Sequence, residues 1–264
     1  VAVAMCDFTE FMWNDRSHAC LLDQMHDFVT RRNLRHLYVV THSGGGIVFR
    51  FLISQRSFLS PARAAKYDTV ISRLENVITL ASPDEGTPLG DAVVDDITEP
   101  TWPTTQQQLR NHWAVLSYST AANLVAGALG SNYDYRTPGV VQYRPRFTRH
   151  LNRYFLRGTA GRGRLSGQFW QLVVGGTSVE TSGTGWTCGG RVQLEALRAL
   201  HALYLPSQAD GFIPYASATA AGDEKRSSIS FTGRNLNHNQ SRYNCHNLAQ
   251  KLADYFTSNI NALD

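Results

Sequence analysis

Apolar positions recur along this chain in two periods. Leu21, Leu22, Met25, Phe28 and Val29 fall at helical spacing within Ala19–Arg32. Leu37-Tyr38-Val39-Val40 is a β-branched and aromatic run that predicts a strand. Thr41-His42-Ser43-Gly44-Gly45-Gly46 follows, then Ile47–Ile53, apolar and long enough for a helix. The order is strand, tight turn, helix. Val77–Leu80 predicts a second strand, ending at Ser82-Pro83. Phe169–Val174 predicts a third, closed by Gly175-Gly176, and Ser227–Phe231 the last. Val1–Met5 reads as one more strand, ahead of the first helix. The final helix is predicted over Asn247–Phe256, with Leu248, Leu252, Tyr255 and Phe256 on one face.

Strands alternating with helices predict an α/β fold, a mostly parallel sheet with helices on both faces. The alternation breaks twice, at residues 88–168 and 177–209, and both spans are too long for simple loops. The first carries Trp102, Leu109, Trp113, Val115, Leu116, Leu124, Val125 and Leu129, which suggests two apolar helices. Tyr133–Arg164 is rich in Arg, Gly and Tyr and reads as irregular. The expectation is one domain over 1–264 with residues 88–168 as a cap or lid inside it.

Composition narrows the class. The 264 residues are 42% hydrophobic and 17% charged, against roughly 25% charge in ordinary globular chains. This excludes a disordered or coiled-coil chain. A net charge of +4 without any run of Lys/Arg longer than two argues against nucleic acid as a partner. No stretch approaches the ~18 apolar residues of a membrane span, and Val1–Met5 is too short for a signal-peptide core. The four cysteines are Cys6, Cys20, Cys188 and Cys245, with no CxxC pair to suggest zinc. Two disulfides and a secreted or periplasmic location are expected, against four free thiols in a cytosolic protein as the alternative. Three connectivities exist. Cys6–Cys20 and Cys188–Cys245 are favoured, because the first pair would pin the loop after the opening strand to the next helix. The second would tie two late segments together.

A serine between an apolar strand and a helix, with small neighbours, has a mechanical explanation. The sharp turn strains the serine backbone and projects its hydroxyl above the sheet. The amide of the next residue then points the same way from the helix N-terminus, towards a developing oxyanion. Here Ser43 is the candidate nucleophile and Gly44 the amide donor. A phosphate-binding loop would need Gly-Lys-Ser/Thr or G-x-G-x-x-G spacing, and neither is present.

These residues resemble the α/β-hydrolases of the bacterial lipase/esterase type, over residues 1 to about 256. The elbow Thr41-His42-Ser43-Gly44-Gly45 departs from G-x-S-x-G by Thr41 at the first glycine. Leu80–Gly90 resembles the segment that in lipases often reads Thr-Pro-His-x-Gly, with Asp84 where the histidine is common. Ala209-Asp210-Gly211-Phe212-Ile213-Pro214 resembles the Asp-Gly-x-Val-Pro segment that carries the catalytic acid.

In that fold the order is Ser, then Asp or Glu, then His. The resemblance implies Asp210 as the acid, with Glu180 and Glu195 in reserve; Asp223 is too near the last strand and Asp254 sits on the last helix. His238 and His246 both follow the last strand. His238, in a polar loop before the last helix, is the expected base; His246 beside Cys245 is the alternative. His42 is expected to point away from Ser43 and to support the elbow by hydrogen bonding. The remaining histidines, His18, His26, His36, His112, His150 and His201, lie at no ligand spacing.

The implied activity is ester hydrolysis by Ser43, His238 and Asp210 through an acyl-enzyme, on an ester or lipid substrate and with no cofactor. Trp102, Trp113 and Leu116 are candidates for the acyl-binding wall, or equally for the cap's own core. The calcium site of some bacterial lipases needs an aspartate two residues after the histidine; Gln240 stands there, so no metal is expected. Other classes stay open: an acyltransferase, a polyester or cell-wall esterase, or a binding protein on a degenerate hydrolase fold.

The second oxyanion donor of this fold normally comes from a loop after an earlier strand, near a His-Gly pair. The chain has no His-Gly. The expectation is an upstream segment of ~80–130 residues, by usual strand and helix sizes, cleaved, disordered or left as a second chain. The competing expectation is a donor from the loop at 7–18.

Overall fold

The computed structural model describes residues 2–4, 6, 10–54, 56, 59–92, 138–152, 170–176, 179, 191–220, 228–231, 237–239 and 248–260. Four of the predicted strands form one parallel sheet in the order β1 (Leu37–His42), β2 (Leu74–Leu80), β3 (Trp170–Gly176) and β4 (Ser228–Phe231). Parallel neighbours require crossovers, and helices supply them. α2 (Gly44–Ser54) and α3 (Pro61–Ile71) lie between β1 and β2, α4 (Pro145–Leu151) between β2 and β3, and α5 (Arg191–Tyr204) and the short α6 (Tyr215–Ala218) between β3 and β4, while α1 (Cys20–Arg31) precedes β1 and α7 (Leu248–Ile260) follows β4.

The two-residue alternation of the strands decides which helix meets which face. Leu37, Leu74 and Val77 join the main core with Leu22, Met25 and Val29 of α1, Ile47 and Phe51 of α2, and Tyr67 and Val70 of α3. Ile78 and Leu80 point the other way, onto Leu248, Leu252, Tyr255 and Phe256 of α7. The Tyr38 ring meets Phe256 edge-on at 5.3 Å. Val77, Ile78 and Leu80 are all buried, as a parallel strand covered on both faces must be. A third cluster joins Leu89 and Val179 to Leu194, Leu197 and Leu200 of α5.

The structure departs from expectation in three places. Residues 2–4 are not in a strand. Ala4 and Cys6 instead pack on the main core, and a Cys6–Cys20 disulfide with Cα atoms 5.8 Å apart holds this segment to the start of α1. Ala2 and Val3 are exposed, so among the described residues of this run only Ala4 packs inward and none pairs in the sheet. Within Tyr133–Arg164, Pro138–Tyr143 is a 3-10 turn and α4 follows it, with Pro145 at the helix start. Tyr143 and Phe147 pack on the main core and Leu151 is part of it. Finally, α2 begins at Gly44, immediately after Ser43. Much of 88–168 lies outside the described residues, with Trp102, Trp113 and Leu116; so do Cys188 and Cys245.

Among the described residues no helix is long and apolar enough to cross a membrane.

Candidate active site

β1 ends at His42, and the next residue cannot continue it. Ser43 takes φ 52°, in the left-handed region, a conformation that costs a residue with a Cβ roughly 1–2 kcal/mol. Its amide still donates to Leu80 O at 2.9 Å, one step beyond the ladder, and its carbonyl accepts from Gly46 N at 3.0 Å as α2 starts. The turn is therefore held from both sides. A Cβ on Gly46 would lie 2.2 Å from Ser82 Oγ, so only glycine lets α2 approach the end of β2 this closely. The Gly44 amide is at the first helical position, where no intrahelical acceptor exists.

The Ser43 hydroxyl lies 3.0 Å from His238 Nε2. On the other side of the ring, His238 Nδ1 lies 2.9 Å from Asp210 Oδ2. A carboxylate oxygen accepts, so Nδ1 carries the proton and Nε2 is left to accept from the serine. His238 is 0% and Asp210 1% exposed. The second Asp210 oxygen accepts from the amides of Phe212 at 2.8 Å and Ile213 at 2.6 Å. This clasp needs a tight turn, and Gly211 makes it at φ 94°. The His238 amide donates to Asp210 O at 2.8 Å, so main chain as well as side chain joins the two loops. The Phe212 ring stacks on His238 with centroids 5.0 Å apart.

Of the other sequence candidates, the two that are described, Glu195 and Asp254, pair elsewhere. Glu195 is an exposed α5 residue paired with Arg198 at 3.2 Å. Asp254 lies on α7 and accepts from Gln250. Glu180, Asp223, Gln240 and His246 lie outside the described residues. In the loop at 7–18, the Met12 amide donates to Gln142 Oε1 at 2.8 Å, and those of Arg16, Ser17 and His18 donate to Asn14. Among the described residues no three His, Cys, Asp or Glu side chains gather as metal ligands.

Behind the serine turn lies a buried polar group that the pattern of the sequence left unread. Arg50, in the apolar run of α2, places Nη1 3.3 Å from Asp84 Oδ1 and Nη2 3.3 Å from Asn152 Oδ1. Ser82 Oγ donates to the same Asp84 oxygen at 2.7 Å, and Asn152 Nδ2 donates to Asp84 O at 2.7 Å. Burial pushes the Asp84 carboxyl up to about 6, against the opposing pull of Arg50 and Ser82. A lone arginine in an apolar helix was the available signal, with Asp84 already singled out in its segment. The following residues reach the acid loop. Glu85 N donates to Ser217 Oγ, Ser217 Oγ to Gly86 O, and Thr87 Oγ1 to Phe212 O at 2.6 Å.

No family model and no curated protein matches the chain. Solved structures do. Lipase BlEst2 of Bacillus licheniformis in its mature form aligns with a TM-score of 0.53 at 14% identity, over 92% of this chain and 73% of that one. Its propeptide form gives 0.48 at 12% identity, over 92% of this chain but only 40% of that one. Lipase 1 of Pelosinus fermentans gives 0.45 at 13%, over 82% and 71%. At such identity the likeness is one of backbone, and with the parallel sheet and the Ser43 turn it has one meaning: this chain is built on the α/β-hydrolase fold, shared with the mature Bacillus lipase.

Proposed function

We propose that this chain is a serine hydrolase that cleaves carboxylic esters, in the manner of a lipase or esterase. The observation that carries the reading is the unbroken line from Asp210 Oδ2 through His238 to Ser43 Oγ, at 2.9 and 3.0 Å, ending on a serine at positive φ. Fold alone would not suffice, since one fold hosts many functions.

The chemistry follows from the hydrogen-bond directions. Ser43 Oγ attacks the ester carbonyl while its proton passes to His238 Nε2. Asp210, fixed by two amides, keeps the imidazole in the Nδ1–H form and stabilises the cation that forms. The Gly44 amide faces the oxygen that becomes negative. His238 then gives the proton to the leaving alcohol, which leaves Ser43 acylated. Water repeats the sequence and releases the acid. Residues 88–168 are proposed as an insertion that caps this site within a single hydrolase domain, with Tyr143, Phe147 and Leu151 of that span packing on the main core. A place outside the cytoplasm is part of the proposal, consistent with the Cys6–Cys20 disulfide.

The test is intact mass of the non-reduced protein before and after excess fluorophosphonate, alongside hydrolysis of p-nitrophenyl esters of increasing chain length. One adduct, absent in Ser43→Ala, together with ester turnover is the expected result. A folded wild-type protein that takes no adduct and turns over no ester would overturn the reading.

A further inference from the structure

A tetrahedral intermediate carries a full negative charge on one oxygen, and a single amide is a meagre match for it. The structure offers a second donor from an unexpected quarter. The 3-10 turn Pro138–Tyr143 delivers the Tyr143 side chain to the start of α2. A Cβ built on Gly44 would lie 2.2 Å from Tyr143 Oη, 3.0 Å from Cζ and 3.3 Å from Cε1. The phenol therefore meets the Gly44 backbone hydroxyl-first, in the space that any other residue at 44 would fill with its own side chain.

The main chain around Tyr143 is fixed on several sides. Its carbonyl accepts from Thr87 N at 2.8 Å. The preceding Gln142 is buried, and its side chain holds Met12 N while its carbonyl accepts from Thr148 Oγ1 at 2.6 Å. The following Arg144 pairs with Asp91 at 2.7 Å. The ring itself packs on the main core. A donor held this firmly is pre-organised, and its orientation costs little at the moment of reaction.

We propose that the Tyr143 hydroxyl is the second oxyanion donor, acting beside the Gly44 amide on the same developing charge. The proposal rests on the serine-hydrolase reading above and adds to it a residue from the 3-10 turn at Pro138–Tyr143. It also gives a reason for glycine at 44: a methyl group there would displace the hydroxyl.

Tyr143→Phe keeps the ring in the core and removes only the oxygen. The expected result is a kcat about 10²–10³-fold lower, with KM and thermal midpoint close to wild type. Affinity for a trifluoromethyl ketone, which forms a tetrahedral adduct on the serine, should fall by the same factor as kcat/KM. Affinity for the matching methyl ketone, assayed as a competitive inhibitor, should change little. A wild-type kcat with wild-type ketone affinity overturns the proposal, and so does a loss confined to KM or thermal midpoint. Should the phenylalanine variant not fold, Gly44→Ala moves the hydroxyl from the other side, and the same loss in kcat and in trifluoromethyl ketone affinity is expected; an unchanged kcat overturns it. Absence of a fluorophosphonate adduct on wild-type Ser43 is seen before any variant is made, and it removes the parent reading and this proposal together.

Discussion

His42 Nε2 lies 3.1 Å from the carbonyl oxygen of His238. A carbonyl accepts, so Nε2 is the donor and the His42 ring carries its proton there. The residue before the serine thereby fixes the main chain of the residue that faces the serine, across 196 positions of sequence. Its support goes to the His238 loop, where the sequence pointed to the elbow. The two rings lie 4.9 Å apart.

His42→Ala is expected to lower kcat about fivefold, the worth of one hydrogen bond of roughly 1 kcal/mol. His42 acts here as a positioning residue through His238. His42→Gln retains an N–H donor and should recover much of the loss. Steady-state kinetics of both variants with matched thermal melts decides it, since a loss tracking thermal midpoint alone would point to general destabilisation.

Asp210→Asn preserves the size of the group, and its amide oxygen can still accept from Phe212 and Ile213 N. It then offers an N–H to His238 Nδ1, which forces the wrong tautomer. The expected fall in kcat is about 10⁴-fold. The rate of fluorophosphonate labelling should drop with it, while thermal melts confirm a folded protein.

Asp84 gives a pH dependence with a definite sign. Burial raises its carboxyl from 3.8 to about 6 against Arg50 and Ser82, with Glu85 adding a smaller push in the same direction. Between these values the folded chain holds a proton that the unfolded chain has lost, so stability falls as pH rises. The wild type should lose stability relative to Asp84→Asn from about pH 4 to about pH 6, then run parallel to it. Urea unfolding of both proteins across this range measures the gap; a constant gap would contradict the assignment.

The Cys6–Cys20 bridge closes a loop with a sequence separation of 14. Cross-linking a loop of this size is worth about 3 kcal/mol in the chain-entropy account. Cys6→Ser/Cys20→Ser should lose about that much in urea unfolding, while the non-reduced wild-type mass should report the bridge after thiol alkylation without reductant.

The sequence by itself determined the strand–turn–helix at Ser43 and the alternation that makes a parallel sheet, whereas Asp210 and His238 entered through the resemblance to lipases. The turn and the alternation rest on short-range physics: two-residue and helical periods, and small residues at a sharp turn. What only the tertiary structure decided depends on groups distant in sequence. Val1–Met5 carries a strand's composition, yet residues 2–4 lie outside the sheet, because pairing needs a partner edge that composition cannot specify. Arg50 reads as an intruder in an apolar helix until the fold brings Asp84 and Asn152 to it. Tyr143 was one tyrosine in an irregular stretch until the chain placed it against Gly44. Such contacts are bought with loop entropy and held by burial, and neither leaves a local mark in the sequence.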